Sequence, residues 1–222
     1  MGLDPNRPIV ATIGRHIAQK APLDFVTAAK AVLVEEPNVQ FLMVGDGPLE
    51  ADVRAAIGDE SRIQLTGFQD NVPEILSVLD VFALSSLWEG LGRALTEALI
   101  MACPVAVTDA GGMPELVQHR ETGMLSAAGN PSALAENIVW LLRDRNEAIA
   151  MGQRGHDVVV PAFCSKQMVE QIEALYRRLL GTTAPRAADY ELALPTPATP
   201  EPALALQEAN AIHELSPQRV NV

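Results

Sequence analysis

At 222 residues, 48% of them hydrophobic and 20% charged, the chain has the length and composition of one globular domain with room for a tail. A formal charge of −12 argues against nucleic acid, whose binding needs clustered Lys and Arg, yet a phosphorylated small molecule needs only a few local cations and a helix N-terminus. The cysteines, Cys103 and Cys164, make neither a disulfide framework nor a metal-like spacing; Met1–Arg7 lacks a signal peptide's apolar stretch, and no run reaches the roughly 18 apolar residues of a transmembrane helix, so a reduced, cytoplasmic setting is expected.

Ile9–Ile13 is a short apolar run that ends in Gly14-Arg15 and reads as a buried strand. Pro22 opens a helix to about Glu35, with Phe25, Val26, Ala29, Val32 and Leu33 at helical spacing. Val39–Val44 is a second strand, stopped by Gly45-Asp-Gly-Pro48, and Pro48 suits the first position of a short helix over Leu49–Ile57. Arg62–Leu65 is a third strand, followed by Gly67-Phe-Gln-Asp-Asn71 and a brief helix over Pro73–Leu79. Val81–Leu84 is a fourth strand, Arg93–Ala102 a helix, and Pro104–Thr108 a fifth strand, with a short helix around Pro114–Gln118 after it. Gly123–Leu125 is a last short strand, and helices follow over Ser132–Arg143, Glu147–Val159 and Ser165–Leu180.

Strands that are apolar on both faces and alternate with helices predict an α/β, doubly wound, Rossmann-like parallel sheet. Such sheets bind ligands beyond the carboxyl ends of their strands, where Gly14-Arg15, Gly45-Asp-Gly47, Gly67, Glu89-Gly-Leu-Gly92 and Gly111-Gly112 all fall. The first strand is not followed by G-x-G-x-x-G, which disfavours an ordinary dinucleotide fold. Residues 1–181 form the expected domain. Residues 182–222, with Pro185, Pro195, Pro197, Pro200, Pro202 and Pro217 and many alanines, read as a disordered tail with a transient helix over Ala203–Leu215.

The stretch Ser85–Glu115 organises the rest. It is the end of a strand, a glycine turn, a helix and another strand, with one acid in the turn (Glu89) and one in the helix (Glu97). A helix N-terminus seats a phosphate, and acids beside it suit hydroxyl groups, a combination that describes a phosphorylated sugar. Each residue also has a plainer reading. Arg15 and Lys20 also read as surface cations, with the strand-end position of Arg15 favouring a ligand role, and Glu89 reads as a helix-end charge. The plainer reading of Glu97 is an exposed helix acid, against which Leu95, Ala98 and Leu99 around it predict a buried acid that needs a partner. Asp46 reads as a turn residue with Gly47 supplying a positive φ, Trp88 as a rim residue, and Glu115 as a brace for its loop. His16, His119, His156 and His213 share no metal spacing, and a buried Cys103 reads as an inert thiol.

Together these segments resemble the C-terminal, donor-binding domain of the group 1, or family four, retaining glycosyltransferases of GT-B fold. The resemblance covers about residues 8–180 and rests on Gly14-Arg15 with Lys20, Val44-Gly-Asp-Gly-Pro48, Leu65-Thr-Gly-Phe68, Glu89-x7-Glu97 with Gly90 and Gly92, Pro104-Val105, and Gly111-Gly112-x-Pro114-Glu115. It implies that a hexosyl group passes from a nucleoside diphosphate sugar to a sugar, lipid or other hydroxyl acceptor with retention. It implies catalytic roles for Glu89, Arg15 and Lys20, and donor contacts from Gly14, Arg15, Lys20, Phe68, Glu89, Gly90, Leu91, Gly92 and Glu97. Arg15 and Lys20 would hold the diphosphate, Glu97 the ribose, Glu89 the sugar hydroxyls, and the turn at Phe68 the base. No cofactor and no metal are implied. Family members also carry an N-terminal acceptor domain, so a non-catalytic nucleotide-sugar-binding remnant and one subunit of a split transferase are the alternatives; a nucleotide-sugar epimerase of the same fold matches Glu89-x7-Glu97 less well. The family usually has Gly where this chain has Ala102, and an apolar residue where it has Arg93.

Overall fold

A computed structural model describes residues 2–163 and 165–181. It contains six strands, β1 (Ile9–Ile13), β2 (Gln40–Val44), β3 (Ile63–Gly67), β4 (Val81–Leu84), β5 (Val105–Asp109) and β6 (Met124–Ala127). It also contains eight α-helices, α1 (Pro22–Glu35), α2 (Glu50–Ile57), α3 (Val72–Leu76), α4 (Arg93–Ile100), α5 (Met113–Leu116), α6 (Pro131–Arg143), α7 (Arg145–Ala162) and α8 (Ser165–Leu180). A short 3-10 turn at Ala18–Lys20, absent from the sequence reading, precedes α1. The predicted tail and its helix lie outside the described residues, as does Cys164.

The strands form one parallel sheet in the order β3-β2-β1-β4-β5-β6. Consecutive side chains of each strand serve opposite faces, and both faces are apolar. Val10, Phe41, Met43, Val81, Ala83 and Ala106 join a core with α1, α2 and α6. Ile9, Ala11, Leu42, Phe82, Leu84, Val105 and Val107 face the other way, onto α3, α4 and α5. Phe25 of α1 packs edge-on against Phe41 of β2, with ring centroids 6.0 Å apart.

Helices pack on both faces because neither face can meet water, which is the reason the sequence predicted a doubly wound sheet. The strand order reverses between β1 and β4, and the loops leaving those two strands flank the crevice in which such sheets take ligands.

Residues 1–169 make one compact unit, and the second begins at Glu170, where the described residues are the later turns of α8 and Gly181. Among the described residues no helix is long and apolar enough to cross a membrane.

Candidate functional site

The loop leaving β1 runs Gly14-Arg15-His16-Ile17 into the Ala18–Lys20 turn. Its base is fixed by the neighbouring loop: Gly14 N–H donates to the Val44 carbonyl (2.9 Å) and His16 N–H to the Asp46 carbonyl (2.6 Å). Asp46 is thus the turn residue expected of it, beside Gly47 at φ 153°. Ala21 closes the turn in the left-handed region (φ 44°) and hands the chain to Pro22 of α1.

The loop leaving β4 is laced onto this turn. Ser85 Oγ donates to the carbonyls of Lys20 (3.0 Å) and Ala21 (2.9 Å), Leu87 N–H donates to the Gln19 carbonyl (2.8 Å), and Gln19 Nε2 donates to the Trp88 carbonyl (3.1 Å). From β5, Thr108 Oγ1 donates to the Ser86 carbonyl (2.6 Å). Three strand ends are tied together by backbone acceptors and short side chains, which lose little rotamer freedom when ordered.

Within this lacing the structure brings together two residues that lie far apart in the chain. Lys20 Nζ forms an ion pair with Glu89 Oε1, and Ser86 Oγ donates to the same oxygen (2.7 Å). The Glu89 side chain is only 6% exposed and that of Lys20 21%. A carboxylate this deep is stable only when paired and hydrogen-bonded, and both conditions are met. Lys20 and Glu89 are therefore structural partners as well as candidate site residues. Ser85, Ser86 and Gln19 were not singled out from sequence, although hydroxyls where an apolar strand ends were a readable signal for Ser85 and Ser86.

The other expected site residues are placed as follows. Arg15, two residues beyond the end of β1, is exposed and makes no ion pair or hydrogen bond through its side chain among the described residues. Gly90 and Leu91 are exposed in the turn before α4, and Gly92 caps that helix at φ 68°. Glu97 departs from expectation. Its side chain is 38% exposed rather than buried, because α4 buries Leu95, Thr96, Ala98 and Leu99 and leaves Glu97 on the helix margin. There it meets Arg93 at 3.4 Å, an exposed i,i+4 pair of small energetic weight. Phe68 is exposed beyond β3, three strand spacings from β4, or about 14 Å across the sheet. Trp88 is exposed in the loop leaving β4.

Two further residues show what burial does to titration. His16 is 2% exposed with neither ring nitrogen hydrogen-bonded. Burial depresses its pKa; Glu50 and Asp46 pull the other way, and Arg54 adds to the depression. Cys103 is buried, and desolvation pushes its thiol up to about 12, which makes it inert as the sequence reading expected. Among the described residues no group of three or more His, Cys, Asp or Glu is gathered so as to hold a metal ion.

Chemically, the loops leaving β1 and β4 together with α4 carry a guanidinium at Arg15, an ammonium with hydrogens to spare at Lys20, unpaired N–H groups at the start of α4, and the carboxylates of Glu89 and Glu97. Such a set suits an anion joined to a hydroxylated group.

Residues 7–144 match the family model for glycosyl transferases group 1. Over 182 residues the chain is 33% identical to N-acetyl-alpha-D-glucosaminyl L-malate synthase of Bacillus anthracis, an alignment covering 81% of this chain and 48% of that protein. Among solved structures, the C-terminal domain of a glycosyl transferase group 1 family protein (LpcC) from Francisella tularensis is similar with a TM-score of 0.62 and 26% identity, covering 70% of this chain and 85% of that one. Anabaena Alr3699/HepE, in complex with UDP and glucose, shares the fold with a TM-score of 0.73 at 24% identity, over 78% of this chain and 49% of that one. The chain spans about half the length of the curated relatives it matches.

Proposed function

Because the chain belongs to the group 1 glycosyl transferases and has the fold of their C-terminal domain, we propose that it binds a nucleoside diphosphate sugar and supplies the donor half of a retaining transferase. The observation that carries this reading is the buried Lys20–Glu89 pair at the switch point between β1 and β4, with the uncommitted Arg15 beside it.

In this reading Arg15 and Lys20 hold the diphosphate. An ammonium has three hydrogens, so Lys20 keeps Glu89 with one and gives another to a phosphate oxygen. The N–H groups of Gly90, Leu91 and Gly92, with the N-terminus of α4, add donors that cost no reorganisation. Gly90, where an added Cβ would meet nothing within 4 Å, lets the ligand approach the backbone closely, since a side chain would fill that space. Glu97 accepts from the ribose hydroxyls, Glu89 from the hexosyl group, and Phe68 lies toward the base. On transfer the bond between the anomeric carbon and the phosphate oxygen breaks, and its electron pair leaves with the diphosphate. The acceptor hydroxyl forms the new bond on the same face and loses its proton to the departing phosphate. Arg15 and Lys20 stabilise the charge that develops on the leaving group, so the reading calls for no metal.

The acceptor, a sugar, a lipid or another hydroxyl compound, meets the donor once an acceptor domain completes the cleft, on the same or a separate polypeptide. The fold shared with a protein that holds UDP and glucose makes uridine diphosphate sugars the first probes.

Calorimetric titration of variants tests the assignment. Arg15→Ala should weaken UDP by about tenfold or more, the worth of a charge-assisted hydrogen bond, while leaving uridine alone. Glu97→Ala should weaken both ligands with little change in melting temperature, since its side chain is part-exposed. Equal loss of UDP and uridine in Arg15→Ala contradicts the phosphate role.

A further inference from the structure

We propose that Ser86 is a positioning residue that sets the preference of the site for a sugar-bearing over a free nucleoside diphosphate. The inference rests on the donor-site reading above and assigns a task to a residue that reading leaves unused.

Glu89 Oε1 accepts from both Lys20 Nζ and Ser86 Oγ, which fills its two lone-pair directions. Oε2 has no protein donor among the described residues, although the side chain is only 6% exposed. Oε2 is not among the fully buried polar atoms that lack a partner, so solvent reaches it, and a ligand donor can take the place of water there. A hexosyl hydroxyl supplies that donor. A phosphate, itself an anion and an acceptor, does not.

Which oxygen faces the ligand depends on what restrains the other. Lys20 is a poor restraint by itself, because its long flexible chain also has to serve the diphosphate. Ser86 is fully buried, stands two residues beyond the end of β4, and has its own carbonyl held by Thr108 of β5 at 2.6 Å. Its hydroxyl is thus aimed from a strand end that two neighbouring strands fix in place. With Ser86 holding Oε1, the carboxylate cannot rotate to spend both oxygens on Lys20, and Oε2 stays turned toward the hexosyl group.

The test compares UDP with UDP-glucose, UDP-galactose and UDP-N-acetylglucosamine by calorimetry on the full chain, using wild type, Ser86→Ala and Ser86→Thr. Wild type should bind at least one UDP-sugar more tightly than UDP. Ser86→Ala should cut that ratio about tenfold while UDP affinity stays within about twofold, and Ser86→Thr, which keeps a hydroxyl, should restore it. Ser86→Cys, close in volume but a weak donor, gives the same reading should the alanine variant not fold.

An unchanged ratio in Ser86→Ala overturns the inference and leaves the donor site standing. Equal weakening of UDP and UDP-sugar also overturns it, by showing a purely structural role. Wild type that binds UDP but gains nothing from any sugar refutes the inference alone, whereas wild type that binds no nucleotide sinks the donor-site reading and this inference with it.

Discussion

Gly111→Ala loads two penalties onto one position of the loop after β5. Gly111 has φ +59°, and a Cβ added there would stand 1.9 Å from the Glu89 carbonyl oxygen. The left-handed backbone costs an L-residue about 1–2 kcal/mol. Relieving the collision means moving one backbone segment off another, which at overpacked sites costs about 1–3 kcal/mol. Gly67 is the control, since its φ is +70° but a Cβ there would meet nothing within 4 Å. Gly67→Ala therefore carries the first penalty alone, offset by about 0.4–1 kcal/mol from a stiffer unfolded chain. The expected losses are about 1 kcal/mol for Gly67→Ala and roughly 3 kcal/mol for Gly111→Ala, or about 2–4 °C against about 6–12 °C of melting temperature for a domain this size. Because the atom struck belongs to Glu89, Gly111→Ala should also lose sugar-dependent binding at temperatures where it is folded. Scanning calorimetry measures both variants directly. Melting temperatures within about 2 °C of each other would show that the two loops do not meet as described.

Other expectations follow from the same geometry. Ala102 ends α4 at φ 54°, a position that favours glycine, so Ala102→Gly should raise the melting temperature by about 2 °C, and a fall would refute the strain. His16 is held neutral by burial; since its folded pKa lies below the unfolded value of 6.5, its stabilising share is whole above that pH and lost as pH falls below it. Urea midpoints of His16→Leu should thus change less than those of wild type between pH 7.5 and pH 5, and parallel curves would contradict this. Glu60 acts lower. The Arg62 side chain bonded to it holds its carboxyl at about 2 against an ordinary 4.5, so stability present above 4.5 is lost as pH falls toward 2, and Arg62→Ala should flatten that limb.

The strands were legible because both their faces are apolar. Ile9–Ile13 and Val81–Leu84 have the boundaries read from sequence, β2 begins one residue later than read, and β5 is shifted by one residue at both ends. Helix ends were less so: α4 stops at Ile100 because Ala102 leaves the helical region, a backbone fact that alanine, a strong helix former, conceals. The site was legible as a set of strand-end clusters, but its contacts were not. Lys20 and Glu89 are 69 residues apart, and only the reversal of strand order between β1 and β4 makes them neighbours. The exposure of Glu97 was missed because its buried neighbours Ala98 and Leu99 occupy the adjoining face of one narrow helix, and one residue of helical rotation decides which side chain reaches water.

The most direct test of the central claim is nucleotide binding by the chain itself. A thermal-shift titration with UDP, GDP and ADP, each at a hundred times its dissociation constant as fixed by calorimetry, reads it out. Binding at that excess adds about 2.7 kcal/mol, or roughly 5–10 °C for a domain of this size. The account predicts such a shift with at least one of the three, diminished in Arg15→Ala. A folded protein that takes up none of them, in calorimetry or in melting, would contradict the assignment of the β1–β4 crevice as a donor site.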